Sequence, residues 1–319
     1  MKNLAKKLDS IVVFKNVKES PVLRAFYTLL VADFENRIEL YADFVANLFD
    51  YNFNFTEFIV DSVVTDENQY VVLRSKGEEI PEVLSDCVKN EISIFDEISR
   101  VTPEELKRFI GYSGYLPKFE SGYESLEKDN LFDEYEARIC DINKVGYGIY
   151  SHNTMFRYLD GEIVPVKTPD TTNVLDLFGY ERERGLLIDN TNALLEGRPA
   201  ANTLLVGDAG TGKSSSVKAV TNLLSHEGLR LIEINKSQIQ KLPEIMDIIS
   251  ENPLKFIIFI DDLSFNAEDT NLGTLKAILE GGASANAHNC VIYATSNRRH
   301  LIKETFSDRE GDDIHRQDT

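Results

Sequence analysis

Cysteine is scarce: the chain of 319 residues holds three, Cys87, Cys140 and Cys290. They lie far apart and form no C-x-x-C pair, which excludes a disulfide framework and a cysteine zinc site and fits reduced thiols. Histidine is nearly as rare, at five. His152, His288 and His315 show no metal-ligand spacing. Positive charge is short as well. Lys and Arg number 34 against 53 Asp and Glu, for a net charge of -19 and a pI near 4.7. A nucleic-acid backbone needs a basic field, so nucleic acid is not expected as the main partner. Long apolar runs are missing too. The longest, around AFYTLLVADF, is too short and too interrupted to span a bilayer, and MKNLAKKLDS leads into no signal-peptide core. A cytoplasmic location without a membrane partner is the expectation.

What is present is enough chain for two domains. The first half reads as helical. Ser20-Pro21 is a cap with Pro at the first helical position. Leu23, Phe26, Tyr27, Leu30, Phe34, Ile38, Tyr41, Val45 and Leu48 follow at steps of three and four, which predicts one long helix with one apolar stripe. A second helix is expected over 81–99. A third starts at TPEEL, where Thr102 and Glu105 form a capping box around Pro103. GYSGYLPKFESGYESLEKDN reads as loop. MFRYLDGEIVPV then gives two extended runs around Asp160-Gly161, a hairpin signal. The expected N-terminal domain is residues 1–170, mainly helical, with a small β-hairpin near 155–167.

From Thr171 strand and helix alternate. NTLLVGD, LRLIEIN, KFIIFIDD and CVIYATSN read as strands, with helices over 214–225, in IQKLPEIMDIISE and in LGTLKAILEGG. Near-continuous apolar strands predict a parallel sheet covered on both faces. The expected second domain is therefore an α/β unit over 171–319.

The strongest motif is GDAGTGKS, residues 207–214, which fits G-x-x-x-x-G-K-[ST] between a strand and a helix. Its glycines let backbone N–H groups turn inward as an anion nest, and the helix N-terminus adds positive potential. Lys213 brings a full charge to outer phosphates, and the Ser214 hydroxyl is a ligand for Mg²⁺. FIIFIDDLSF then runs five apolar residues into Asp261 and Asp262. A buried carboxylate needs a partner, and Mg²⁺ with Lys213 supplies one for Asp261. YATSN ends the next strand, where the Asn297 amide could orient a water; a simple turn cap is the equal alternative.

Taken with LFGYERERGLLIDNTNALLEGRPAANTLLVGDAGTGKSS, LRLIEINK, LKAILEGG and VIYATSNRRHLI, these residues resemble the AAA+ ATPases. Within them the set looks like the bacterial group called domain of unknown function 815, a predicted ATPase. The resemblance covers roughly 173–302. It implies a P-loop NTPase fold with a five-stranded parallel sheet, ATP and Mg²⁺ as cofactors, and a homo-oligomeric ring. It implies Asp261 as the Mg²⁺-side acid, Asp262 as the acid polarising the attacking water, and Asn297 as the sensor beside the outer phosphate. Leu177, Phe178, Gly179 and Tyr180 match the segment that packs around adenine. Nucleotide contacts are expected from Gly179, Tyr180, Asp208, Ala209, Gly210, Thr211, Gly212, Lys213, Ser214 and Ser215, metal contacts from Ser214 and Asp261, and catalysis from Asp262, Asn297 and Lys213.

The sequence departs from that family in two places. Asp262 stands where most AAA+ proteins carry Glu, one methylene longer. After SNRRHLI only KETFSDREGDDIHRQDT remains, so the fifth strand, the helical lid and its arginines have no counterpart, and the chain reads as truncated. Arg298, Arg299 and Arg309 could serve a neighbouring subunit's phosphate, although arginines near loops are usually just solvated. The expected function is an ATPase that remodels or recruits a protein partner held by the N-terminal domain. The alternative is a nucleotide-dependent binding module with little turnover.

Overall fold

The computed structural model describes residues 1–122, 130–264, 271, 273, 275 and 288–297. The chain divides into two compact units, Met1–Ile142 and Asn143–Thr319. The hairpin expected in the N-terminal domain belongs to the second unit, because its strands join that unit's sheet. The division therefore falls at 142/143, upstream of the expected 170/171.

The first unit is helical, with α1 Lys2–Asp9, α2 Lys15–Lys18, α3 Pro21–Val31, α4 Arg37–Phe49, α5 Phe55–Val64, α6 Gln69–Ser75, α7 Glu82–Ser99, α8 Pro103–Ile110 and α9 Leu131–Cys140. The single long helix expected from Pro21 is two helices. Ala32 is extended, Asp33 leads a short 3-10 turn, and α3 packs against α4. The buried parts of the stripe, Leu23, Phe26 and Leu30 on α3 and Tyr41, Val45 and Leu48 on α4, face one core. Phe26, Phe44 and Phe55 pack there with ring centroids 5.1–5.3 Å apart. Phe34 and Ile38, counted in the stripe, are exposed at the break. The Thr102–Glu105 capping box of α8 is present, and Gly111 ends that helix in the left-handed region.

One polar residue organises the start of this unit. The Glu91 carboxylate on α7 is buried and accepts hydrogen bonds from the backbone N–H groups of Val12, Val13 and Phe14. The carboxylate thus satisfies donors that lead into α2 and would otherwise be stranded.

The second unit holds α10 Ile142–Val145, β1 Met155–Leu159, β2 Glu162–Pro165, α11 Glu181–Leu195, β3 Thr203–Val206, α12 Lys213–Leu224, β4 Leu229–Ile234, α13 Leu242–Ile249, β5 Lys255–Ile260 and β6 Cys290–Ser296. Helix α10 begins one residue before the division between the units. The sheet order is β2-β1-β4-β5-β6-β3. Neighbours are parallel except β1–β2, the antiparallel hairpin at one edge. Asp160 and Gly161 both have positive φ, as the two-residue turn requires.

The apolar strands alternate between two cores. Phe256, Ile258 and Ile260 of β5 pack on the side of Leu242, Ile245 and Ile249 of α13. Ile257 and Phe259 pack on the opposite side with Leu187 of α11 and Val217 and Val220 of α12. Burial on both faces is why these strands read as unbroken apolar runs. Among the described residues β3 pairs only with β6, and its Leu204 and Val206 are exposed. Of the helix expected in LGTLKAILEGG, Gly273 and Leu275 are described and helical, with Leu275 buried against the α13 side of the sheet; its other residues and the segment from Arg298 onward lie outside the described residues. Arg230 breaks the apolar pattern of β4. It is buried, and its guanidinium donates to the carbonyls of Val145, Tyr150, Ser225 and Leu229, tying the segment before β1 to the sheet.

Candidate functional site

The parallel strands β3, β5 and β6 end together, and their exits bring three sequence segments into one place. Strand β3 runs into the glycine loop, and α12 starts at Lys213. The Gly207 N–H donates to the Ser296 carbonyl, which carries the β3–β6 pairing into that loop. Gly210 and Gly212 both have φ +79°, a conformation that costs an L side chain about 1–2 kcal/mol. Gly212 is the N-cap of α12. It gives no side-chain cap, and the first turn of α12 contains no acid. The open N–H groups of a twelve-residue helix therefore face the loop with their positive potential intact.

Lys213 arches back over this loop. Its ammonium donates to the carbonyls of Gly207 and Asp208 at 2.8 Å and to Asn297 Oδ1 at 2.9 Å. The Asn297 amide in turn donates to Asp262 Oδ1 at 3.0 Å. Asn297 thus bridges the cation of one strand exit to the acid of another. Asp261 Oδ1 accepts from the Ser214 hydroxyl at 2.6 Å and from the Thr295 hydroxyl at 2.5 Å. Both aspartates are exposed where the buried strand ends. The expectation that burial forces a cation onto Asp261 does not hold; hydroxyl donors and an open pocket serve instead.

Ala209, Gly210, Gly212, Lys213, Ser214, Ser215, Asp261, Asp262, Thr295 and Asn297 line one pocket of about 280 Å³. A neighbouring groove of about 500 Å³ shares Lys213 and is lined by Tyr180, Arg184, Leu187, Thr211 and Ser216, among others. Asp208 contributes its carbonyl, which accepts from Lys213 and from the Thr211 hydroxyl. The expected site residues of the loop and both strand exits are thus together. In the preceding segment, Tyr180 reaches the groove, while Phe178 is 92% exposed. Gly179 and Tyr180 both have positive φ. Arg184, buried on α11, holds that turn by donating to the carbonyls of Gly179 and Leu177.

The donor set limits the metal chemistry. Among the described residues there is no group of three or more His, Cys, Asp or Glu able to hold an ion. One hydroxyl and one or two carboxylates are too few for a stand-alone site. They suit a hard cation that arrives with phosphate oxygens and keeps several waters. Thiol chemistry has no support here. All three cysteines are free, and burial pushes the Cys290 thiol up to about 12.

Sequence reasoning missed Thr295 and Arg184. Thr295 was readable only as strand, and Arg184 only as one charge in ERERG. Their partners are distant in sequence or are carbonyls, which leave no spacing signal.

The family model for proteins of unknown function called DUF815 matches residues 151–319. The chain belongs to this family. The match starts just before β1 and takes in the hairpin, so the family's unit contains the whole six-stranded sheet. No curated protein matches the chain. Among the described residues, no helix is long and apolar enough to cross a membrane.

Proposed function

We propose that this DUF815 chain is a P-loop NTPase of AAA+ type that binds ATP with Mg²⁺ at residues 207–215 and hydrolyses it. One observation carries the reading: Lys213, at the mouth of an uncapped helix N-terminus, is joined through Asn297 to Asp262, while Ser214 touches Asp261. An anion nest, a lysine, a hydroxyl–carboxylate pair and a water-orienting amide beside an acid are the parts that phosphoryl transfer needs.

Each side chain has a role in that reading. The N–H groups of the loop and α12 cradle phosphate oxygens, and Lys213 turns from its carbonyl acceptors to them. Ser214 and Asp261 would hold Mg²⁺, which neutralises charge on the outer phosphates. Asp262 takes the proton of the attacking water, and Asn297 orients that water. Tyr180 and the adjoining groove receive the base. Hydrolysis would drive the remodelling or recruitment of a protein partner by the N-terminal unit, in the cytoplasm, with homo-oligomerisation part of the same proposal.

A second reading is a nucleotide-dependent binding module. It is favoured by the short Asp262 side chain, already engaged by Asn297. Steady-state phosphate release by the wild-type chain and by Asp262→Asn separates the two. The ATPase reading expects turnover that falls at least ~100-fold in the variant, with nucleotide affinity kept within about threefold. Tight binding by the wild type with no turnover supports the module. Equal turnover in both proteins rules out Asp262 as the base.

A further inference from the structure

We infer that Thr295 is the positioning residue for both strand-exit aspartates, a role that rests on the nucleotide reading above. Its hydroxyl donates to Asp261 Oδ1 at 2.5 Å and accepts from the Asp262 N–H at 2.9 Å. Its carbonyl accepts from the Leu263 N–H at 2.7 Å. Thr295 is 2% exposed although it borders the pocket, so water has little room to replace it.

The two bonds of this hydroxyl do different work. The first fixes the Asp261 carboxylate. Ser214 holds the same oxygen, but Ser214 is also the hydroxyl assigned to the metal. Thr295 keeps Asp261 aimed when Ser214 is engaged elsewhere. The second bond holds the main chain of Asp262, whose φ of 51° lies in the left-handed region. That conformation is disfavoured for a residue with a Cβ and persists where the surroundings fix it. The N–H of Asp262 has one further acceptor, Asp261 Oδ1 at 3.1 Å, which is itself held by Thr295. One buried hydroxyl therefore sets a side chain on one acid and a backbone on the next.

The test is a MgCl₂ titration of the full chain at a fixed concentration of the β,γ-imido analogue of ATP, followed by thermal shift. Thr295→Val and Thr295→Ser are compared with wild type. Removing the hydroxyl is expected to raise the half-saturating Mg²⁺ concentration ~10-fold, as for other hydrogen-bond partners of metal ligands. Affinity for the analogue in EDTA is expected to change less than about twofold, and the Ser variant to stay within about twofold of wild type. A merely structural role would lower the melting temperature without ligand and leave the Mg²⁺ midpoint in place; that result overturns the inference. If the Val variant does not fold, Thr295→Ala removes the same hydroxyl and reads the same midpoint. A wild-type chain with no Mg²⁺-dependent shift overturns the nucleotide reading and this inference with it. A wild-type shift with an unmoved midpoint in the variants overturns this inference alone.

Discussion

Lys213→Met keeps an unbranched apolar stem and deletes the ammonium, so it tests the charge rather than the packing. That ammonium makes three hydrogen bonds, two to loop carbonyls and one to Asn297. All three lie at an open pocket where water can replace the donor. Their loss is therefore expected to cost about 1 kcal/mol or less, a melting shift of roughly 2–4 °C. Binding is a different matter. On the proposed reading the ammonium moves to phosphate oxygens, where charge-assisted bonds contribute about 1.5–3 kcal/mol each. Two such bonds, less the three given up, leave about 2–5 kcal/mol, or roughly 30- to 4,000-fold in affinity. Calorimetric titration with Mg·ATP measures it, with the melting temperature as control for folding. An affinity within threefold of wild type would refute the assignment of Lys213 to phosphate. A melting loss above about 10 °C would show that its loop bonds are mainly structural.

Two further predictions concern the helical unit. Glu91→Gln leaves one acceptor oxygen for donors now served by two and sets an amide N–H against a backbone N–H. It is expected to lower unfolding free energy by about 3 kcal/mol in urea melts; a loss below about 0.5 kcal/mol would contradict the role given to this carboxylate. Burial pushes the Asp66 carboxyl up from 3.8 to about 6, against the hydrogen bonds from Asn68 and Asn16 that oppose the shift. The folded state then holds a proton that the unfolded chain has released, so the contribution of Asp66 is present below pH 3.8 and is lost as pH rises to about 6. Relative to wild type, Asp66→Asn is expected to gain up to about 3 kcal/mol between pH 4 and pH 7, read as the change in their stability difference. A pH-independent difference would place the Asp66 pKa near its ordinary value.

Much of the sheet was legible because its strands announce themselves twice, by unbroken apolar runs and by glycine or acid at their exits. The glycine loop, Asp261, Asp262 and Asn297 could be picked out because they end strands in a fixed order. The hairpin was legible from Asp160-Gly161, but its destination was not. β1 pairs with β4, more than seventy residues downstream, and local alternation carries no record of that partner. The break between α3 and α4 was hidden because Phe34 and Ile38, exposed around an extended Ala32, fall by spacing between the buried stripes of two separate helices and join them into one. Thr295 was hidden because its hydroxyl bonds to residues just past the end of another strand.

On the proposed reading residues 207–215 with Asp261 form a site for Mg·ATP. Isothermal titration of the wild-type chain with ATP, in MgCl₂ and again in EDTA, tests it most directly. One site per chain is expected, with a Kd of order 100 μM or tighter with Mg²⁺ and at least ~10-fold weaker binding in EDTA. No heat of binding at millimolar ATP, or affinity indifferent to both Mg²⁺ and Lys213→Met, would contradict it.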